Sequence, residues 1–196
     1  LAGPPPPRAA LGLPVDGPLV GIAANLRSVK RLDLFLEAAA RIAAVRSDVR
    51  FVILGDGELR DEIVARVAAM GIADRVHLAG RVPDTAPHLA HLAVGLLTSE
   101  SEGLSNTLLE YAQAGVPAVA FAVGGNPEVI VEGVTGHLVG FGDDNALADR
   151  TLAILAYPAR AAAMGQAARR HVAAHHAPEH LAALLDTVAD EGTTRF

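Results

Sequence analysis

The sequence predicts an α/β protein built on a doubly wound parallel sheet of six strands. Short runs that are apolar at nearly every position alternate with longer amphipathic segments, the pattern of strands covered on both faces by helices. Glycine or proline punctuates many of the junctions. A strand order like 3-2-1-4-5-6 follows naturally, and such sheets take ligands beyond the carboxyl ends of the strands, at the switch point.

Each element has its own warrant. "LVGIAAN" (19–25) reads as a buried strand. In 30–46, Leu34, Ala38 and Ile42 share one helical face. "RFVILGDG" (50–57) is a strand ending in a glycine turn, and 58–71 a helix with a glycine stop signal. A short strand (75–80), a short helix (83–92) and a fourth strand (93–99) follow. Residues 104–115 form a helix closed by Gly115, and 117–121 a fifth strand. "NPEVIVEG" (126–133) is a short helix with Asn126 as N-cap and Pro127 in its first turn. "GHLVG" (136–140) is the sixth strand. From about 143 to 191 the chain is helical, with breaks near Pro158 and Pro178.

Composition narrows the function. The chain has 196 residues, 51% of them hydrophobic, and a mean hydropathy of +0.33, which suits one large core. The net charge of −6 and 4% aromatic content argue against a general nucleic-acid binder. A small phosphorylated ligand needs only a few local cations and stays open. No cysteine is present, so disulfide and thiolate chemistry are excluded. No apolar run approaches the roughly 20 residues of a membrane span. The opening stretch lacks the pattern of a signal peptide and starts on Leu; with Pro4–Pro7 it reads as a stiff linker, residues 1–18, to something that precedes it. Residues 19–175 form the domain and 176–196 a C-terminal helix.

The loops after the strands carry the chemistry. "NLRSVKR" places Arg27, Lys30 and Arg31 at a strand-to-helix junction. Cations there oppose the helix dipole and so call for another reason, such as a diphosphate. "LGDGELR" has G-x-G, but Arg60 stands where a dinucleotide fingerprint has its third glycine; a tight turn explains it at least as well as ligand contact. In "SESEGLSNTLLEYAQAG", Glu102 stands at a loop mouth and Glu110 two turns into a helix. A carboxylate accepts two hydroxyls in a fork, as on a sugar or ribose. Helix capping by Glu102 and solvent exposure of Glu110 are the bland alternatives. Yet Glu110 follows Leu108 and Leu109, where a charge needs a partner or a cleft.

"SESEGLSNTLLEYAQAGVPAVAFAVGGNPEVI" resembles the signature of retaining GT-B-fold glycosyltransferases of the family-4 (group 1) type, with E-x7-E and a VGG-x-PE-V-I segment. The likeness runs from about 19 to 175 and takes in "LRSVKRLDLFLEAA", "FVILGDGELR", "VHLAGRVPD" and "EGVTGHLV". It implies a Rossmann-like domain, one half of a GT-B fold, that binds a nucleotide-diphosphate sugar. It further implies transfer with retention and without a metal or other cofactor. By position, Glu102 would contact the hexose and help stabilise the transition state. Glu110 would grip the ribose. The amides around Gly103, Leu104, Ser105, Asn106 and Thr107 would bind phosphate. Lys30 matches the family lysine on the diphosphate, and Arg81 and Val82 would lie beside the base.

One departure is Asn25, counted among the donor-binding residues, where many members have an arginine. Arg27, three residues before Lys30, is the substitute cation, and Lys30 is the firmer assignment of the two. The second departure is the missing N-terminal, acceptor-binding half of the enzyme, a partner within the same protein. Alone, this chain would bind donor and transfer poorly or not at all. The family setting implies a cytoplasmic protein, peripheral at the inner membrane face through the missing half, in polysaccharide or glycolipid synthesis; the nucleotide, UDP or GDP among others, is left open. The rivals are a nucleotide-sugar epimerase of the same fold and a non-catalytic nucleotide-binding module. A dinucleotide-dependent oxidoreductase is remote, since the fingerprint is absent after the first strand. His171, His175, His176 and His180 read as a solvated helix face rather than a metal site, as do His88 and His91. "GDD" (142–144) reads as a helix N-cap, and Arg169 and Arg170 as surface charges. "GGNPEVI" reads as a tight turn and helix start, with donor-sugar contact at Gly124–Asn126 left open.

Overall fold

The structure, a computed structural model, describes residues 3–176. Its chain order is β1 (Leu19–Ala23), α1 (Leu32–Val45), β2 (Arg50–Leu54), α2 (Arg60–Ala69), β3 (Val76–Gly80), α3 (Ala86–Leu89) and β4 (Leu92–Leu97). Then come α4 (Asn106–Ala114), β5 (Ala118–Phe121), α5 (Asn126–Val129), β6 (Gly136–Val139), α6 (Asp144–Leu155) and α7 (Pro158–His175). The sheet order is β3-β2-β1-β4-β5-β6, with parallel pairing throughout, as the alternation of elements predicts.

Alternation along the central strands splits the core in two. Val20, Ile22, Phe51, Ile53, Val94 and Leu96 face one side, where they meet Phe35 and Ile42 of α1, Ile63 and Val67 of α2, and Leu147 and Ile154 of α6. Leu19, Val52, Leu54 and Leu97 face the other side, against Leu89, Leu108, Tyr111, Ala168 and Val172. Phe35 and Phe51 pack edge to face with centroids 6.5 Å apart, so Phe35→Ala removes both area and an aromatic pair, at about 3–5 kcal/mol.

Helix ends follow local chemistry. Gly115 closes α4 in the left-handed region, at φ 73°. Asp143 caps α6, its side chain accepting from Ala146 N at 2.8 Å. Pro158 opens α7, which accounts for the break there. The Pro178 break, His180 and the C-terminal helix lie outside the described residues. The proline-rich opening packs on the domain: Leu13 is buried, and the His91 ring bonds the Pro6 carbonyl at 2.7 Å.

Two expectations are corrected. Gly125, not Asn126, is the N-cap of α5. Asn126 is fully buried, because its side-chain amide donates back to Phe121 O, at the end of β5, at 2.9 Å instead of capping the helix. His88 is not solvated either. It is buried, with Nδ1 3.0 Å from Asp84 O, because α3 is one turn long and lies flat on the second core.

Candidate functional site at the switch point

β1 and β4 are adjacent in the sheet, but their pairing stops at Gly21 and Gly95. Beyond that point the strands part. Tyr111 fills the fork: its hydroxyl accepts from Ala23 N at 2.9 Å and donates to Leu96 O at 3.1 Å. A side chain on Gly95 would collide with its ring, at 2.6 Å. Burial raises the tyrosine pKa, so the ring is a neutral wedge. One turn earlier on the same helix, Thr107 Oγ1 donates to Ala23 O at 3.1 Å. Together the two side chains fix α4 over the fork and carry Glu110, between them, to its mouth.

The mouth is a cleft of about 230 Å³ lined by Asn25, Asp56, Arg81, Val82, Thr107 and Glu110, among others. Five of these, Asn25, Arg81, Val82, Thr107 and Glu110, are residues that the sequence assigned to a donor site, from three separate stretches of chain. Gly55 and Asp56 supply another wall, so the G-x-G stretch is both a tight turn and part of the cleft. Asp56 Oδ1 accepts from Gly57 N at 2.9 Å. At Gly55, φ 135°, an added Cβ would lie 1.9 Å from Ala24 O, so the turn presses directly on the β1 loop.

Lys30 and Glu102, on the loops after β1 and β4, are not among the residues that line this cleft and form a pair of their own. Nζ and Oε1 are 2.7 Å apart, with the side chains 22% and 12% exposed. Sequence reasoning assigned the two to different ligand groups and did not foresee their contact. Both loops are anchored: Thr98 Oγ1 donates to Lys30 O at 2.8 Å, and Glu100 N donates to Val29 O at 3.0 Å. From the other side Gly125 N donates to Gly103 O at 3.1 Å. Gly124, at φ 51°, comes so close that a Cβ would sit 1.7 Å from Glu102 O. This explains the paired glycines: only bare backbone fits against the Glu102 loop.

Ser105 caps α4, accepting from Leu108 N at 3.4 Å, so Glu102 is not the cap. The first intrahelical bond of α4 runs from Leu109 N to Ser105 O, so the N–H groups of Asn106 and Thr107 have no helix carbonyl behind them and are left for an anion. Gly103, Leu104 and Asn106 are exposed, as are Arg27 and Asn25. Among the described residues Arg27 has no ion pair, whereas Arg31 is engaged. Arg31 forks onto Asp33 at 3.0 and 2.7 Å and lies 5.7 Å from the Phe141 ring. Burial pushes the Asp33 carboxyl up, but the Arg31 hydrogen bond and charge, the Leu34 N–H and the Arg66 charge together outweigh it and hold the group below its usual range. Glu110 has a partner as well as a cleft: Thr85 Oγ1 donates to its Oε2 at 3.0 Å. Thr85 and Tyr111 were missed in the sequence. A tyrosine beside a carboxylate on an otherwise small-residue helix was the available signal for the second.

Among the described residues no group of three or more His, Cys, Asp or Glu could hold a metal ion. His171 and His175 are ring neighbours at 4.5 Å, and the His175 ring bonds the His171 carbonyl. No helix among the described residues is long and apolar enough to cross a membrane.

This fold and cleft define an α/β domain with an open cleft at the switch point of its sheet. Residues 17–157 match the family described as glycosyl transferases group 1, and the chain belongs to that family. It is 39% identical over 172 residues to the D-inositol 3-phosphate glycosyltransferase of Mycolicibacterium paratuberculosis, covering 85% of this chain and 38% of that protein. It is 34% identical over 164 residues to the N-acetyl-alpha-D-glucosaminyl L-malate synthase of Bacillus anthracis, covering 84% and 43%. The chain thus spans about two fifths of the length of these relatives. Among solved structures, S. aureus TarM in complex with fondaparinux, alpha-GlcNAc-glycerol and UDP superposes with a TM-score of 0.83 at 25% identity, over 87% of this chain and 35% of that one. The six-stranded parallel sheet and its helices are the Rossmann-like architecture of GT-B glycosyltransferases, to part of which this chain corresponds.

Proposed function

We propose that this chain is the donor-binding part of a retaining glycosyltransferase and binds a nucleoside-diphosphate sugar without a metal. The observation that carries this reading is the position of Glu110, a half-buried carboxylate at the mouth of the switch-point cleft with Arg81 and Val82 in the same walls. Glu110 accepts the ribose hydroxyls. Arg81 and Val82 flank the base, with Asn25 at the edge. Lys30, Arg27 and the free amides at the start of α4 take up charge as the diphosphate leaves. Glu102 orients the hexose. These groups replace a divalent cation, so no cofactor is needed. UDP is the first nucleotide to try, since TarM was crystallised with it.

The acceptor binds to a portion of the protein beyond this chain, and activity belongs to the two together. That setting is cytoplasmic, at the inner membrane face. Calorimetric titration with UDP, GDP and ADP, first without magnesium and then with it, tests the reading. One nucleotide should bind without metal, and Lys30→Ala should weaken it about tenfold or more, as expected for loss of a charged hydrogen-bond partner. Binding that requires magnesium, or that ignores Lys30, would remove the charge-neutralising role.

A further inference from the structure

Glu110 stands between two cavities. In front is the cleft with Arg81, Val82 and Asp56. Behind is a larger one, about 380 Å³, bounded by Pro5, Gln113 and Arg169. Thr85 and Glu110 belong to the walls of both. A glutamate has three rotatable side-chain bonds, and a cation in the wall of the rear cavity offers it an alternative. Thr85 Oγ1 is the only side-chain donor on the Glu110 carboxylate among the described residues, at 3.0 Å on Oε2.

We propose that Thr85 is the positioning residue of the site: its hydroxyl holds the Glu110 carboxylate toward the front cleft and so sets preference for a ribose with free hydroxyls. The inference rests on the reading of Glu110 given above. The chemistry suits the task. A hydroxyl consumes one of about four acceptor positions and adds no charge, so the carboxylate keeps its capacity for two ligand hydroxyls. A lysine or arginine there would fix the carboxylate but compete for it. Thr85 is also well placed to be rigid. It is the N-cap of α3, its carbonyl accepts from His88 N and Leu89 N, both at 2.9 Å, and it lies on the loop that carries Arg81 and Val82. The bond therefore ties the base side of the cleft to the ribose side.

The test uses the 196-residue chain and whichever of UDP, GDP or ADP binds most tightly, beside its 2′,3′-dideoxy form. The unaltered chain should prefer the ribonucleotide about tenfold or more. Thr85→Val, equal in shape, should cost the ribonucleotide about fivefold to tenfold and leave the dideoxy form unchanged. Thr85→Ser should restore the preference, and Thr85→Val should have no further effect in a Glu110→Ala background. If the valine variant keeps the preference, or loses affinity for both forms alike, Thr85 is a structural residue and the proposal fails. If the unaltered chain does not discriminate the two forms, the ribose role of Glu110 fails first and Thr85 with it. Binding of none of the three nucleotides would overturn the donor-site reading itself.

Discussion

The two carboxylates of the site, Glu102 and Glu110, are held in opposite ways. Glu102 lies on a loop and is paired with a cation, Lys30, at 2.7 Å. Glu110 lies on a helix and is held by a neutral hydroxyl, Thr85, at 3.0 Å. The loop carboxylate owes its place to backbone stapling by Gly124 and Gly125, since a loop has no repeating hydrogen bonds of its own. The helical one owes its place to the two side chains that pin α4, Thr107 and Tyr111. On the proposed donor-site reading the difference separates two tasks: Lys30 would stay paired until a diphosphate arrives, and Glu110 would keep its acceptor capacity for uncharged hydroxyls.

Among changes at the site, the largest effect expected is from Gly124→Ala. The new Cβ meets Glu102 O at a backbone φ that L residues rarely adopt, at a cost of about 2–4 kcal/mol. Urea denaturation should show that loss, and nucleotide binding should suffer through the Glu102–Lys30 end while Glu110 stays in place. A variant as stable as the original would mean that the close approach is not a constraint. Next comes Glu110→Ala, which should weaken nucleotide binding about tenfold to a hundredfold, since charged hydrogen bonds are worth about 1.5–3 kcal/mol. Unchanged affinity would remove the ribose assignment. The smallest effect sharpens the contrast most. Glu102→Gln releases Lys30 and should tighten nucleoside-diphosphate binding about threefold, more at low salt, because a partly exposed pair is worth about 1 kcal/mol or less. Weaker binding would mean that Glu102 orients Lys30 rather than holding it in reserve.

Much of this was legible in the chain. The six strands, their order and the helices between them follow from apolar runs and amphipathic periods, and the loop residues Lys30 and Glu102 and the helical Glu110 were singled out by their charges. What failed was local: the capping of α5 and the environment of His88. In both places a side chain turned inward to a backbone carbonyl, Asn126 to Phe121 O and His88 to Asp84 O, which no period of two or 3.6 reveals. The Pro-rich opening reads as spacer in one dimension; in three, Leu13 is buried and the Pro6 carbonyl meets the His91 ring.

The sequence by itself determined the sheet, its order and which loops meet at its carboxyl edge, because hydrophobic periodicity acts residue by residue along the chain. Only the tertiary structure decided the partners: Lys30 with Glu102, 72 residues apart; Thr85 with Glu110, 25 apart; and Tyr111 with Ala23, 88 apart. Hydrogen bonds and ion pairs of that span depend on where the two strands part and on angstrom-scale approach of glycine backbone, and neither has a signature in a linear pattern.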